Sequence, residues 1–194
     1  MSKLPLFPLN LVLLPYEYLP LHIFEPRYKN MIRNAIEDKS PFGIILSEGE
    51  GVYSKGVRVE VNKVYKEYQN GEYDILVKGQ DLFSVIKTEV QGETVIGEIE
   101  YLPIQVTSED SQFKEFQNLY LKILLKLGVD KDLNIHMDKQ ISYEFLQGIQ
   151  LPISIKKKLI SLNEETERLV FITSIFNEIL QSDINISSKD IPKA

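Results

Sequence analysis

The 194-residue chain contains no cysteine. That absence removes a disulfide framework, a thiol nucleophile and a thiolate zinc site together, and it suits a reducing cytoplasm. Histidine is nearly as scarce, with His22 and His136 the whole supply. Two histidines so far apart make no metal signature, and neither stands in a context that suggests a nucleophile–histidine–carboxylate arrangement. His22 alternates with apolar neighbours and reads as a hydrogen-bonded structural histidine. A phosphate-binding loop is missing as well, since Gly49, Gly51 and Gly56 are followed by no Lys-Ser/Thr pair. The sequence therefore calls for no cofactor.

Basic excess is also lacking. The net charge is −6, and residues 1–107 carry 11 Lys/Arg against 15 Asp/Glu while residues 108–194 carry 11 against 13. Neither half has the positive surplus that phosphate-backbone binding requires, which argues against nucleic acid. The run Lys156, Lys157 and Lys158 reads as the solvated face of a helix. No uninterrupted apolar stretch is long enough for a membrane span. The first 24 residues come nearest, but Pro5, Pro8, Pro15 and Pro20 would break a spanning helix, and Asn10, Glu17 and His22 interrupt the run. That segment reads as two or three buried strands separated by proline turns, with no cleavage site for a signal peptide.

What is present is an ordinary globular balance of 43% hydrophobic and 26% charged residues, without repeats or low-complexity tracts. Val57, Val59 and Val61 alternate with Arg58 and Glu60, and Tyr73, Ile75 and Val77 repeat the pattern after Asn70-Gly71, a strong hairpin signal. Further strands are expected at 82–90 and 95–103, split by Gln91-Gly92. One helix interrupts this half near 26–38. Glu25 is its cap, Pro26 fits its first turn, and Tyr28, Met31, Ile32 and Ala35 form its apolar stripe.

After Pro103 the period becomes helical. Ser108 is placed to cap a helix carrying Phe113, Phe116, Tyr120, Ile123, Leu124 and Leu127, with Gly128 at its end. A shorter helical stretch holds Ile141, Phe145, Leu146 and Ile149 and stops before Pro152. Ser154 is placed to cap the lysine-bearing helix. Asn163 does the same for a final helix, with Glu164 and Glu165 near its positive end and Leu169, Ile172, Phe176 and Ile179 as its buried stripe. Residues 182–194 read as a polar tail.

The opening run Leu4-Pro5-Leu6-Phe7-Pro8-Leu9-Asn10, followed by Leu19-Pro20-Leu21-His22-Ile23-Phe24-Glu25-Pro26-Arg27-Tyr28, resembles the signature of the Lon protease N-terminal, substrate-binding domain family. Pro41-Phe42-Gly43-Ile44, a glycine before a strand at Gly56, and Val77-Lys78-Gly79-Gln80 continue the likeness in order and spacing. The resemblance implies an α+β fold in which a β-rich, PUA-like pseudo-barrel over residues 1–104 precedes a helical bundle subdomain over 105–181. It also implies a non-catalytic protein- or peptide-binding module, an adaptor in protein quality control. Its partners would be unfolded or extended protein segments, together with a protease or chaperone. The chain has no room for the ATPase and serine-lysine protease domains of full-length Lon, so neither activity is expected of it.

Glu25-Pro26-Arg27-Tyr28 is the sharpest local feature. Glu25, Pro26 and Tyr28 read as structural, and Arg27 has a local carboxylate within reach. Arg27, Lys29, Asn30 and Arg33 are the partner-binding candidates, because the start of this helix lies at the surface in Lon-like domains. Acidic pairs such as Glu48 with Glu50, or Asp110 with Glu115, read as solvated surface. Two other readings stand beside the binding module: RNA binding by analogy to PUA domains, and a hydrolase with an unrecognised site.

Overall fold

Apolar residues at every second position bury one face of a strand, and where the chain has them it forms a sheet. The computed structural model describes residues 2–105, 111–129 and 133–181. Its elements run β1 (Ser2–Leu9), β2 (Tyr18–Ile23), α1 (Pro26–Glu37), β3 (Phe42–Glu48), β4 (Gly51–Glu67), β5 (Tyr73–Gln91) and β6 (Thr94–Leu102). There follow α2 (Ser111–Lys126), α3 (Leu133–Met137), a 3₁₀ turn (Ser142–Leu146), α4 (Ile153–Ser161) and α5 (Glu165–Gln181). The expected caps Ser108 and the tail 182–194 lie outside the described residues.

Two compact units are present, residues 1–103 with 152–161, and residues 104–151 with the chain from 162 onward. The helix with the three lysines, which the sequence pattern assigns to the helical region, thus groups with the β-rich one. In the first unit the strands order β2-β5-β4-β3-β1-β6, and β6 also pairs with β5, which closes the sheet on itself. β1 runs parallel to β3, with Leu6 opposite Gly43, and every other pairing is antiparallel.

Two segments expected as separate strands are one. β5 continues for 19 residues from Tyr73 to Gln91, because its first half pairs with β2 and β4 and its second half with β4 and β6. Gly56 likewise lies inside β4 rather than ahead of a strand. Phe83, wholly buried on β5, explains it: a Cβ on Gly56 would stand 2.5 Å from the ring, and one on Gly43 2.8 Å away. The ring fills space that only hydrogen atoms leave open, among Leu4, Leu6, Ile45 and Ile99. Gly79 serves a different approach, since a Cβ there would stand only 2.4 Å from the Leu14 carbonyl oxygen. The loop before β2 is held there by Tyr16 N–H to the Gly79 carbonyl and Gly79 N–H to the Glu17 carbonyl, both 2.9 Å.

The Asn70-Gly71 signal gives the β4–β5 hairpin. Of these two residues only Gly71 adopts a left-handed conformation (φ 77°), and Tyr68 N–H reaches the Glu72 carbonyl at 2.9 Å. α1 buries Tyr28, Met31, Ile32 and Ala35 as its periodicity requires. Glu25 occupies the N-cap position but makes no side-chain cap; its carboxylate accepts from Arg27 Nε at 2.9 Å instead.

The lysine-bearing helix is solvated only in part: Lys158 is exposed, while Lys156 and Lys157 are half-buried. Leu159 and Ile160 are buried, Lys156 pairs with Glu17, and Lys157 pairs with Glu48 at 2.6 Å while lying 4.4 Å from the centre of the Tyr53 ring. Ser154 lies inside this helix rather than capping it.

In the second unit α2 presents Phe113, Phe116, Tyr120, Ile123 and Leu124 inward and ends in a Schellman turn, with Val129 N–H to the Leu124 carbonyl and Gly128 N–H to the Leu125 carbonyl. Phe116 and Tyr120 pack edge-on to Phe145 at 4.9 and 5.0 Å. The short helical stretch is a 3₁₀ turn, capped by the Glu144 carboxylate, which folds back onto the backbone N–H groups of Gln140 and Ile141, both at 3.1 Å. α5 begins at Glu165, so Asn163 stands one residue outside the cap position and gives its carbonyl to Arg168. Its buried stripe is Glu165, Arg168, Ile172, Ile175 and Phe176; Leu169 and Ile179 are half-buried.

Three outcomes follow from this packing. Gly56→Ala should lower unfolding free energy by about 1–3 kcal/mol, and Phe83→Leu in the same chain should return part of that loss, as measured by denaturant titration. Leu159→Ala should cost about 2–5 kcal/mol. A chain ending after Pro103 should melt below the full chain, because it keeps β1 to β6 but loses the helix that covers them.

Candidate functional site

Strand pairing sets His22 on β2 directly opposite Asp74 on β5. His22 Nδ1 meets Asp74 Oδ1 at 2.7 Å, and the Tyr68 hydroxyl donates to Asp74 Oδ2 at 2.7 Å. Those bonds, Tyr68 first and His22 second, hold the Asp74 carboxyl below its ordinary range, and the same contact raises the Tyr68 phenol. A carboxylate only accepts, so His22 carries its proton on Nδ1. Nε2 then faces the Glu72 carboxylate at 3.6 Å rather than a hydroxyl. The pair has the orienting half of a hydrolytic triad, and no hydroxyl of the described residues is bonded to Nε2. His22 is half exposed, so the sequence expectation of a hydrogen-bonded histidine holds, but on the open face of the sheet.

Aromatic surface gathers around it. Phe24, 58% exposed, stacks with the imidazole at 5.9 Å between ring centres, and Tyr68 meets the same ring edge-on at 5.9 Å. Lys66 Nζ lies 4.2 Å from the centre of the Tyr68 ring. An apolar body with a polar rim is the composition of a protein-contact surface.

All four sequence candidates lie on α1 and have polar partners in the structure. Arg27 binds Glu25 and lies 4.7 Å from the centre of the Tyr28 ring. Lys29 donates to the Asn70 carbonyl at 3.0 Å, with Glu72 at 3.8 Å, so it ties α1 to the hairpin turn. Arg33 reaches Asn30 Oδ1 only at 3.4 Å. Arg27, Asn30 and Arg33 are exposed. Of the acidic pairs, Glu48 is given to Lys157, Glu50 and Glu115 are exposed, and Asp110 lies outside the described residues. Among the described residues no group of three or more His, Asp or Glu side chains is arranged to hold a metal ion.

Two polar clusters in the second unit escape sequence reading. Arg168 and Glu165 form a buried pair at 2.7 Å. Ser142 supplies its N–H and hydroxyl to Glu165 at 2.6 and 2.8 Å, and Arg168 Nη1 donates to the carbonyls of Leu162 and Asn163. No buried side-chain polar atom of the described residues is left without a partner. A Glu and an Arg three residues apart at a helix start is the one signal the sequence carried, and it is common on solvated helices.

The second cluster is a chain of three groups. Lys139 Nζ donates to the Tyr120 hydroxyl and to the Glu144 carbonyl, both at 2.8 Å, and the Tyr120 hydroxyl lies 3.0 Å from His136 Nδ1. With the lysine donating to the phenol oxygen, the phenol donates to Nδ1, so the imidazole is neutral. Burial first and the Lys139 charge second lower the His136 pKa accordingly. Burial also brings Lys139 down to about 8 and raises Tyr120 above its ordinary range.

Comparison with known proteins gives one consistent result. Residues 3–180 match the family model described as the ATP-dependent protease La (LON) substrate-binding domain. A Lon protease of Parabacteroides distasonis is 27% identical over 145 residues, which is 70% of this chain and 16% of that protein. The chain thus spans a small fraction of the curated relative it matches. Among solved structures, a Lon N-terminal domain protein from Xanthomonas campestris superposes with TM-score 0.69 at 22% identity, over 90% of this chain and 98% of that one. The N-terminal domain of the Mycobacterium avium complex Lon protease gives TM-score 0.71 at 15% identity, over 91% and 98%. At those identities the structural likeness establishes the fold.

Lys139 makes the stability of the second unit depend on pH with a definite sign. The unfolded chain holds that proton up to about 10.5 and the folded one releases it at about 8. Between those values the unfolded state binds more protons, so stability rises with pH. Tyr120 and Tyr143, kept neutral by burial, act oppositely above their ordinary value of 10.0. Denaturation midpoints of the wild type should therefore climb from about pH 8 toward 10, and Lys139→Met should flatten that climb.

Proposed function

The chain belongs to the Lon substrate-binding domain family, and from that premise we propose that it is a binding module for unfolded or extended protein segments. It acts without chemistry of its own and presents clients to a protease or chaperone as an adaptor. Its place is the cytoplasm, in keeping with a chain free of cysteine. No helix of the described residues is long and apolar enough to cross a membrane.

The observation that carries this reading is Phe24, an aromatic ring left 58% exposed beside His22 and Tyr68, with Arg27, Asn30 and Arg33 at the neighbouring helix start. Large apolar side chains grouped on a surface and rimmed by polar ones mark contact sites. Aromatic and arginine side chains dominate the binding energy of such sites. Lys29 belongs to the scaffold, because its ammonium is spent on the hairpin carbonyl. The acidic balance of both halves of the sequence disfavours a nucleic-acid partner.

Capture of a permanently unfolded, reduced and carboxymethylated protein, compared with its native form, tests the proposal. The wild-type chain should retain the unfolded form selectively. Phe24→Ser and the pair Arg27→Glu with Arg33→Glu should each weaken retention by about tenfold without changing the circular dichroism spectrum. Equal retention of folded and unfolded forms, or variants indistinguishable from wild type, would sink it.

A further inference from the structure

β3 and β4 part company early. Their last pair is Phe42 with Val59, yet β4 continues to Glu67 with β5 on one side only. The chain ahead of β3 turns away for identifiable reasons. Lys39 adopts a left-handed conformation (φ 53°) at the end of α1, and Pro41, standing next to β3, has no N–H to extend a ladder. Along residues 60–67 the second backbone edge of β4 therefore meets no strand among the described residues.

A groove of about 330 Å³ occupies the vacated lane, lined by Ile36, Lys39, Ser40, Val61, Asn62 and Val64 among others. Its volume falls at the lower end of the range of ligand clefts. Val64 is 38% exposed and Val61 is half-buried, so the floor is partly apolar.

Charge at the groove has one sign to spare. Glu60 is bound by Arg58 at 2.7 Å, and Arg58 also holds Asp81. Lys39 and Lys63 have no carboxylate partner among the described residues; Lys63 Nζ lies only over the Tyr65 ring, at 5.0 Å. Other cations of the same unit divide: Lys3, Arg27, Lys29, Lys156 and Lys157 are paired, while Lys66 and Lys78 lie over tyrosine rings, so what sets Lys39 and Lys63 apart is their place on the groove. Lysines and bulges also serve to protect sheet edges from aggregation, and this strand has register shifts around Asn62 and Tyr65. Protection alone does not account for a groove beside the edge with apolar floor and unanswered positive charge.

We propose that this edge of β4 takes an extended protein segment as an added antiparallel strand, collinear with β3, and that the segment is one in which apolar residues alternate with acidic ones. Backbone hydrogen bonds to residues 60–64 supply affinity. Val61 and Val64 accept the apolar side chains, and Lys39 and Lys63 select the acidic ones. The inference rests on the binding-module reading and assigns it a client chemistry and a place.

The test uses the full chain and a fluorescein-labelled, end-capped peptide of about six residues alternating valine and glutamate. Anisotropy titration should show saturable binding, and hydrogen exchange should slow at the amides of residues 60–66 when the peptide is bound. Lys39→Glu with Lys63→Glu, and the neutral pair Lys39→Met with Lys63→Met, should weaken binding at least tenfold. A peptide with lysine in place of glutamate should bind the wild type no better than background. Absence of binding, unchanged affinity in both double variants, or exchange protection elsewhere would each overturn the inference. If unfolded carboxymethylated protein is still captured in those cases, the binding-module reading survives and only the edge is lost. If the peptide binds at the edge while unfolded protein is not captured, the reverse holds.

Discussion

The ring of Phe83 is the interaction on which the first unit turns. Among the described residues β5 is the only strand that pairs with three others, and its middle must come close enough to β3 and β4 for the sheet to close. Gly43 and Gly56 make that approach possible by withdrawing their side chains from the place the ring takes. The exchange concentrates apolar contact on one side chain rather than spreading it over three. It also explains why β4 runs unbroken through Gly56, where the Phe83 ring packs.

Glu17 shows how the loop before β2 and α4 depend on one another. Its carboxylate accepts the backbone N–H of Leu14 at 2.9 Å and also pairs with Lys156, while its carbonyl accepts from Gly79. One residue thus fixes a turn, docks that turn against β5 and receives a helix from about 140 positions later in the chain. Three roles on one exposed-looking acidic residue could not be separated in the sequence.

Much of this was legible beforehand. The two-residue alternation at 73–77 and the three-to-four spacing at 113–127 were sufficient, because burial on one face leaves a period that any strand or helix must obey. Prolines in the first 24 residues correctly pointed away from a spanning helix and toward short strands. The sequence was opaque where a residue acts at long range. Glu165 looked like a favourable charge near a helix start and is buried against Ser142 and Arg168. Lys156 and Lys157 looked solvated and are taken by Glu17 and Glu48. Ionic partners lie on separate elements and follow no period, so local pattern cannot find them. The same reason hid the groove beside α1, which exists because β3 stops short.

The chain passes from the first unit to the second, returns as α4, and leaves again. Neither unit is therefore one continuous stretch of chain. Recombination that joined residues 2–103 to a foreign C-terminal module would discard the helix those strands need, and grafting 104–181 elsewhere would carry that helix away with nothing to cover.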